Sequence, residues 1–118
     1  MIKIFGLKNC DTCRKALKWM DLAGIKHQFF DVRENGVTRA DIEFWISAVG
    51  WTVLLNQRGT TWRMLEIKNK KNLNEESVVR LLVDYPALIK RPIFVEGRNV
   101  IVGFKEKQKA EILGSFER

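Results

Sequence analysis

The sequence predicts an α/β fold. A β-α-β unit at the N-terminus and a β-β-α unit at the C-terminus share one mixed four-stranded sheet, with an all-helical insertion between the second and third strands. Three observations predict it. A short apolar strand, Ile2 to Phe5, runs through a turn into an amphipathic helix, and both cysteines, Cys10 and Cys13, sit at that junction. Two β-branched runs near the C-terminus, Ile93 to Val95 and Val100 to Val102, flank Glu96-Gly97-Arg98-Asn99 and read as an antiparallel hairpin. Between about residues 38 and 85 the apolar residues recur at helical spacing.

Each element has its own signal. In the first helix, roughly Asp11 to Ala23, the residues Ala16, Leu17, Met20 and Ala23 form one apolar stripe, and Gly24 ends it. Ile25 to Val32 reads as a second strand, returning parallel to the first in a right-handed crossover. Asn35-Gly36 is a turn, and Thr38 with Asp41 forms a capping box that uses Asp for the usual Glu. Ile42, Trp45, Ile46 and Val49 then define a helix that Gly50 closes. Trp51 to Leu55 reads as a short helix, and Thr60 or Thr61 is expected to cap another through Glu66. Asn74 caps a helix whose apolar face is Val78, Leu81, Leu82 and Tyr85, and Pro86 stops it. The last helix, about Glu106 to Phe116, is expected to turn Ile112, Leu113 and Phe116 inward. Without its central helices this order of elements is the thioredoxin core.

A chain of 118 residues suits one compact domain, here taken as residues 1–118. No apolar run approaches the ~20 residues of a membrane span. Met1 leads straight into a strand, so a cytoplasmic protein is expected, and structural stapling by its two cysteines is not. The net charge of +7 raises nucleic acid or an acidic partner. Lys and Arg are spread along the whole chain without a basic tail, basic helix face or aromatic RNA-binding signature, which favours a solvated surface and no direct nucleic-acid binding.

The chemistry is expected at Cys10 and Cys13. Cys-x-x-Cys between a strand and a helix is a redox arrangement. Free amides and the positive helix end favour a thiolate at Cys10, helped by the nearby Lys8, Arg14 and Lys15, while Cys13 lies one turn on and can attack a mixed disulfide. The alternative is a pair of buried small hydrophobes. Zinc needs four ligands, and only His27 remains as a soft one. His27 itself reads as structural, and Trp51 and Trp62 as packing residues. In thioredoxin-like folds the proline before the third strand is cis and faces the active cysteine, and the order of elements puts Pro92 there. Arg58, Arg63 and Arg91 are either surface charge or an anion site near Cys10 with bidentate contacts, Arg58 and Arg91 being the stronger candidates.

Four blocks carry a resemblance across nearly the whole chain: Ile4-Phe5-Gly6 with Lys8-Asn9-Cys10-Asp11-Thr12; Gly50-Trp51 with Leu54-Leu55-Asn56; Arg58-Gly59-Thr60-Thr61-Trp62-Arg63; and Ile89-Lys90-Arg91-Pro92 with Gly103-Phe104. The chain resembles the arsenate reductase-like ArsC/Spx family of thioredoxin-fold proteins, most of all its YffB-like branch. The resemblance implies that Cys10 is the nucleophile and that Arg58 and Arg91 bind an anion. It further implies recycling by glutathione and glutaredoxin. A third arginine of the arsenate reductases has no match, since Gly103-Phe104-Lys105 occupies its region. Cys13 is shared instead with the redox-sensing regulators of the family, which bind RNA polymerase through the C-terminal domain of its α subunit.

The expectation is therefore a cytoplasmic, monomeric, glutathione-dependent thiol-disulfide oxidoreductase with no metal and no bound cofactor, glutathione serving as co-substrate. Cys10 attacks, Cys13 resolves or forms a regulatory disulfide, Thr12 and the helix-start amides stabilise the thiolate, Arg58 and Arg91 bind an anionic group, and Pro92 shapes the cleft wall. The Spx-like regulator is the second expectation and arsenate reductase the third.

Overall fold

The computed structural model describes residues 1–115. Four strands, β1 (Ile2–Gly6), β2 (His27–Asp31), β3 (Ile93–Glu96) and β4 (Asn99–Val102), form one sheet in the order β2-β1-β3-β4. β2 runs parallel to β1, with Ile2 opposite His27 and Gly6 opposite Asp31. β3 runs antiparallel to β1 and pairs with β4 in the expected hairpin. The helices are α1 (Asp11–Leu22), α2 (Arg39–Val49), α3 (Trp51–Leu54), α4 (Thr60–Met64), α5 (Glu75–Asp84) and α6 (Glu106–Ser115), with single 3₁₀ turns at Ile67–Lys70 and Pro86–Leu88. The mixed sheet carries the thioredoxin-like order, and α2 to α5 form the all-helical insertion. No helix among the described residues is long and apolar enough to cross a membrane.

Alternation along the strands sends neighbouring residues to opposite faces. Ile2, Ile4, Phe94 and Ile101 meet Ala16 and Met20 of α1 and Ile112 of α6. Phe5, Ile93 and Val102 face the insertion, where Ile42, Trp45, Ile46, Leu54, Val78 and Leu82 make a second core. The Trp45 ring packs on Phe5 with centroids 4.9 Å apart. The insertion is tied back to the sheet by a bridge between Leu55 and Ile89. The Asn56 amide donates to the Leu88 carbonyl and the Lys90 amide to the Leu54 carbonyl, each at 2.8 Å. That bridge brings the chain after Leu55 beside the segment that leads into Pro92.

Several local expectations are corrected. β2 begins only at His27; Ile25 is buried before it and packs under α1. The buried stripe of α1 is Cys13, Ala16 and Met20, at i, i+3 and i+7, because the helix ends at Leu22 and leaves Ala23 outside as its exposed cap. α4 is capped by neither threonine: Gly59 holds the N-cap position and makes no side-chain bond. In α5 the buried set is Val78, Val79, Leu81 and Leu82, while Tyr85 is 40% exposed. The residue before a proline is pushed out of helical geometry, and Tyr85 at φ −131, ψ 76 has left the helix that Pro86 stops. In α6 only Ile112 is buried. Leu113, rotated about 100° from it, is 41% exposed, and Phe116 lies outside the described residues. The Thr38–Asp41 and Asn74–Ser77 capping boxes are both formed.

Candidate active site

Cys10 is the N-cap of α1, in extended geometry at φ −111, ψ 119. The Arg14 amide closes the first turn on the Cys10 carbonyl at 3.0 Å. The Cys10 side chain is partly exposed and makes no cap hydrogen bond, but it stands at the helix end that carries the free amides. Burial alone would push this thiol up. The backbone amide of Cys13, the Cys13 thiol and the Arg91 guanidinium outweigh it and hold Cys10 below the ordinary thiol range. Cys13 is fully buried, and burial pushes its thiol up to about 12, against the opposing pull of the Leu7 amide. Both are free thiols.

The cations divide differently from their sequence proximity. Lys8 pairs with Glu34 at 2.6 Å and Arg14 with Asp11 at 3.3 Å, so each is partly neutralised by an acid. The guanidinium that reaches Cys10 is Arg91, 81 positions away in the chain. Arg91 is itself ordered: its Nη1 donates to the carbonyls of Ala87 at 3.0 Å and Ile89 at 3.2 Å. Its Nε is buried without a protein partner. The Arg91–Pro92 peptide is cis, and Pro92 is buried.

Arg91 also lines a cleft of about 170 Å³ together with Arg33, Asn56, Thr60 and Trp62. A roomier hollow of about 400 Å³ lies over Lys71, Arg80 and Asp84; the smaller cleft is linked to the thiols through Arg91, whose charge acts on both Cys10 and Cys13. Arg58 stands exposed on the rim loop. Its amide donates to Asn56 Oδ1 at 3.0 Å, its carbonyl accepts from Arg63 Nη1 at 3.0 Å, and its guanidinium is not among the groups that shift Cys10. Arg63 is thereby a brace for this loop, with a second bond from Nη2 to Thr60 Oγ1 at 3.3 Å. Thr12 is exposed. The structure thus links Cys10 and Cys13 to Arg91, with Pro92 next to Arg91 in the chain, and leaves the Arg58 and Thr12 side chains exposed. Among the described residues no group of three His, Cys, Asp or Glu is placed to hold a metal, and His27 bonds the Ile25 carbonyl through Nδ1 at 2.8 Å.

Two residues of the site escaped the sequence reading. Gly6 ends β1 directly under Cys13: a Cβ there would stand 2.5 Å from Cys13 Sγ and 3.3 Å from the Phe29 ring. Gly6→Ala is expected to cost about 1–3 kcal/mol by overpacking. Urea denaturation measures this, and combining it with Cys13→Ala should recover part of the loss because the two sites share one contact. Equal losses in the single and double backgrounds would mean that the two do not press on each other. The second residue is Asp31, buried at the end of β2. Its signal was available, since an Asp at a strand end ahead of a turn commonly bonds the following amides.

Comparison with known proteins agrees with this architecture. The sequence model of the ArsC family matches residues 5–112. An uncharacterised protein of Haemophilus influenzae is 41% identical over 113 residues, covering 92% of this chain and 95% of that one. The global transcriptional regulator Spx of Streptococcus pneumoniae is 24% identical over 110 residues, 92% of this chain and 82% of its own. Among solved structures, the YFFB protein superposes with a TM-score of 0.89 at 34% identity, covering 96% of this chain and 97% of its own. An arsenate reductase (ArsC) related protein from Brucella melitensis gives 0.77 at 33% identity over 98% and 95%.

Proposed function

Since this chain belongs to the ArsC family, we propose that it is a glutathione-dependent thiol-disulfide oxidoreductase. One observation carries the proposal: a partly exposed thiol at a helix N-cap, held below its ordinary pKa by an amide and a guanidinium that also lines a small cleft. The Cys10 thiolate attacks one sulfur of a disulfide, the other sulfur leaves as a thiolate and takes up a proton, and a mixed disulfide forms at Cys10. With glutathione in that mixed disulfide, a second glutathione thiolate attacks its sulfur, releases oxidised glutathione and restores Cys10. Cys13 is a slow resolver by comparison. Its thiol is buried and weakly acidic, and capping Cys10 removes only the lesser, like-charge part of that shift. A cytoplasmic, monomeric enzyme assisted by glutaredoxin completes the proposal. Turnover with glutathione and a panel of mixed disulfides tests it, and an inactive wild type would sink it.

Arg91 supplies the cation for a glutathione carboxylate, with Arg58 on the rim and Pro92 in the wall. Arg91→Ala should weaken glutathione binding by about 1.5–3 kcal/mol, the range for a hydrogen bond to a charged group. Arg91→Lys should recover only part, because a point charge replaces the planar fork. Titration of glutathione into the three proteins measures this. Unchanged affinity in Arg91→Ala and Arg58→Ala, or arsenate turnover matching that of a dedicated arsenate reductase, would identify a different ligand. A second reading is favoured by the Spx relative together with the Cys-x-x-Cys: a redox switch that binds RNA polymerase at the C-terminal domain of its α subunit. Pull-down with that domain under oxidised and reduced conditions separates the two.

A further inference from the structure

Asp31 is the buried charged side chain of the described residues, 5% exposed. It sits opposite Gly6 in the parallel register, and the Val32 amide continues that ladder to the Gly6 carbonyl at 2.8 Å. Its carboxylate accepts three backbone amides. Oδ1 takes those of Arg33 at 2.8 Å and Glu34 at 3.0 Å, which closes the turn after β2. Oδ2 takes the amide of Lys8 at 2.8 Å, across 23 positions of sequence and two residues ahead of Cys10. The Lys8 carbonyl is held from the other side by Arg14 Nε at 3.0 Å, and the Cys10 amide returns to the Leu7 carbonyl at 3.3 Å. Of these bonds, only the one to Asp31 ties the turn to a different element of the sheet. The Lys8–Glu34 ion pair spans the same gap, but both side chains are more than half exposed and such pairs contribute little.

We infer that Asp31 is a positioning residue for the nucleophile: its carboxylate sets the Leu7–Cys10 turn so that the Cys10 thiol meets the Cys13 amide and the Arg91 guanidinium. The inference rests on reading Cys10 as the reactive thiol. Asp31 is suited to the task because it stays ionised. Burial pushes its carboxyl up, but the amides of Lys8, Glu34 and Arg33 outweigh this and hold it below the ordinary range. A charged acceptor makes a stronger bond to an amide than a neutral one does. The charged groups facing Asp31 are Lys8 and, beyond it, Glu34; the titratable and charged groups facing Cys10 are the Cys13 thiol and the Arg91 guanidinium.

Asp31→Asn isolates the role. The remaining carboxamide oxygen can still accept Arg33 and Glu34, while the new NH₂ confronts the Lys8 amide, two donors with no acceptor. The measurement is the pH dependence of iodoacetamide labelling at Cys10, mapped by mass spectrometry on the reduced protein. The expected result is a midpoint moved to higher pH and labelling about three- to tenfold slower at pH 7, as the thiolate fraction falls. Asp31→Glu, which keeps the charge and both acceptors, should recover part of the rate. If Asp31 acted by charge alone, removing an anion would move the midpoint down and speed labelling. If it served stability alone, the urea midpoint would fall and the labelling midpoint would stay. Either result overturns the inference.

Should Asp31→Asn not fold, amide NMR of the wild type decides. The Lys8 amide shift should titrate together with those of Arg33 and Glu34 as Asp31 protonates, and a Lys8 amide that ignores this titration overturns the inference. Labelling reads the thiol and not turnover. A wild type without disulfide turnover sinks the oxidoreductase reading alone, whereas normal turnover with an unshifted Asp31→Asn midpoint sinks this inference alone.

Discussion

Cys10→Ser should take disulfide turnover down by on the order of 10³-fold or more, as removal of a nucleophile does elsewhere, while Cys13→Ser should leave measurable activity. A serine hydroxyl is not ionised near neutral pH, so the attack on the disulfide sulfur is lost whatever else remains in the site. The two cysteines are not equivalent, although three positions apart on one helix start. Cys10 meets solvent, an amide and the Arg91 guanidinium, whereas Cys13 lies in the buried stripe of α1 against Gly6. With its thiol pushed up to about 12 by burial, Cys13 is held as the neutral thiol near pH 7. The second-glutathione route does not use it. A coupled assay that follows oxidised glutathione compares the three proteins. Full activity in Cys10→Ser would remove the assigned nucleophile, and loss of all activity in Cys13→Ser would make the dithiol route obligatory.

The largest effect on stability is expected at Trp45. Its indole is 1% exposed, packs on Phe5 and fills the space between α2 and the sheet face that carries the insertion. Trp45→Ala should cost about 3–5 kcal/mol, the transfer of the ring plus the cavity it leaves. Stabilities of single domains are about 5–15 kcal/mol, so this loss is a large share of the total. Phe44, the preceding residue, is rotated about 100° from it and is 37% exposed. Phe44→Ala should cost less than about 1 kcal/mol, as partly exposed positions do. Urea denaturation of both variants is the measurement. Similar losses would mean that α2 presents a different face to the sheet.

Much of the fold could be read along the chain because its causes are local. The spacing of Ile42, Trp45 and Ile46, the Thr38–Asp41 capping box, and the β-branched runs around Gly97 each specify an element from neighbours within a turn or a hairpin. The strand–Cys-x-x-Cys–helix junction is local in the same sense, so Cys10 was legible as the nucleophile candidate, while Pro92 was legible as the cis-proline candidate from the order of elements. Where local reading failed, a contact from elsewhere competed with it. Tyr85 and Leu113 continue apolar patterns, yet neither joins a core cluster among the described residues, while Val79, outside the pattern, does.

By itself, then, the sequence determined the order of elements, the mixed four-stranded sheet and the position of the thiol pair, all consequences of hydrophobic period, turn chemistry and caps acting over a few residues. Only the tertiary structure decided which charges act on that thiol. The Leu55–Ile89 bridge and the crossover of β3 beside β1 carry Arg91 to Cys10, whereas the sequence neighbours Lys8 and Arg14 turn to Glu34 and Asp11. The reach of Asp31 to the Lys8 amide was equally out of sight, because it depends on the parallel register of β2 against β1. Electrostatic interactions follow distance in space, and distances between segments far apart in the chain exist only once the sheet has assembled.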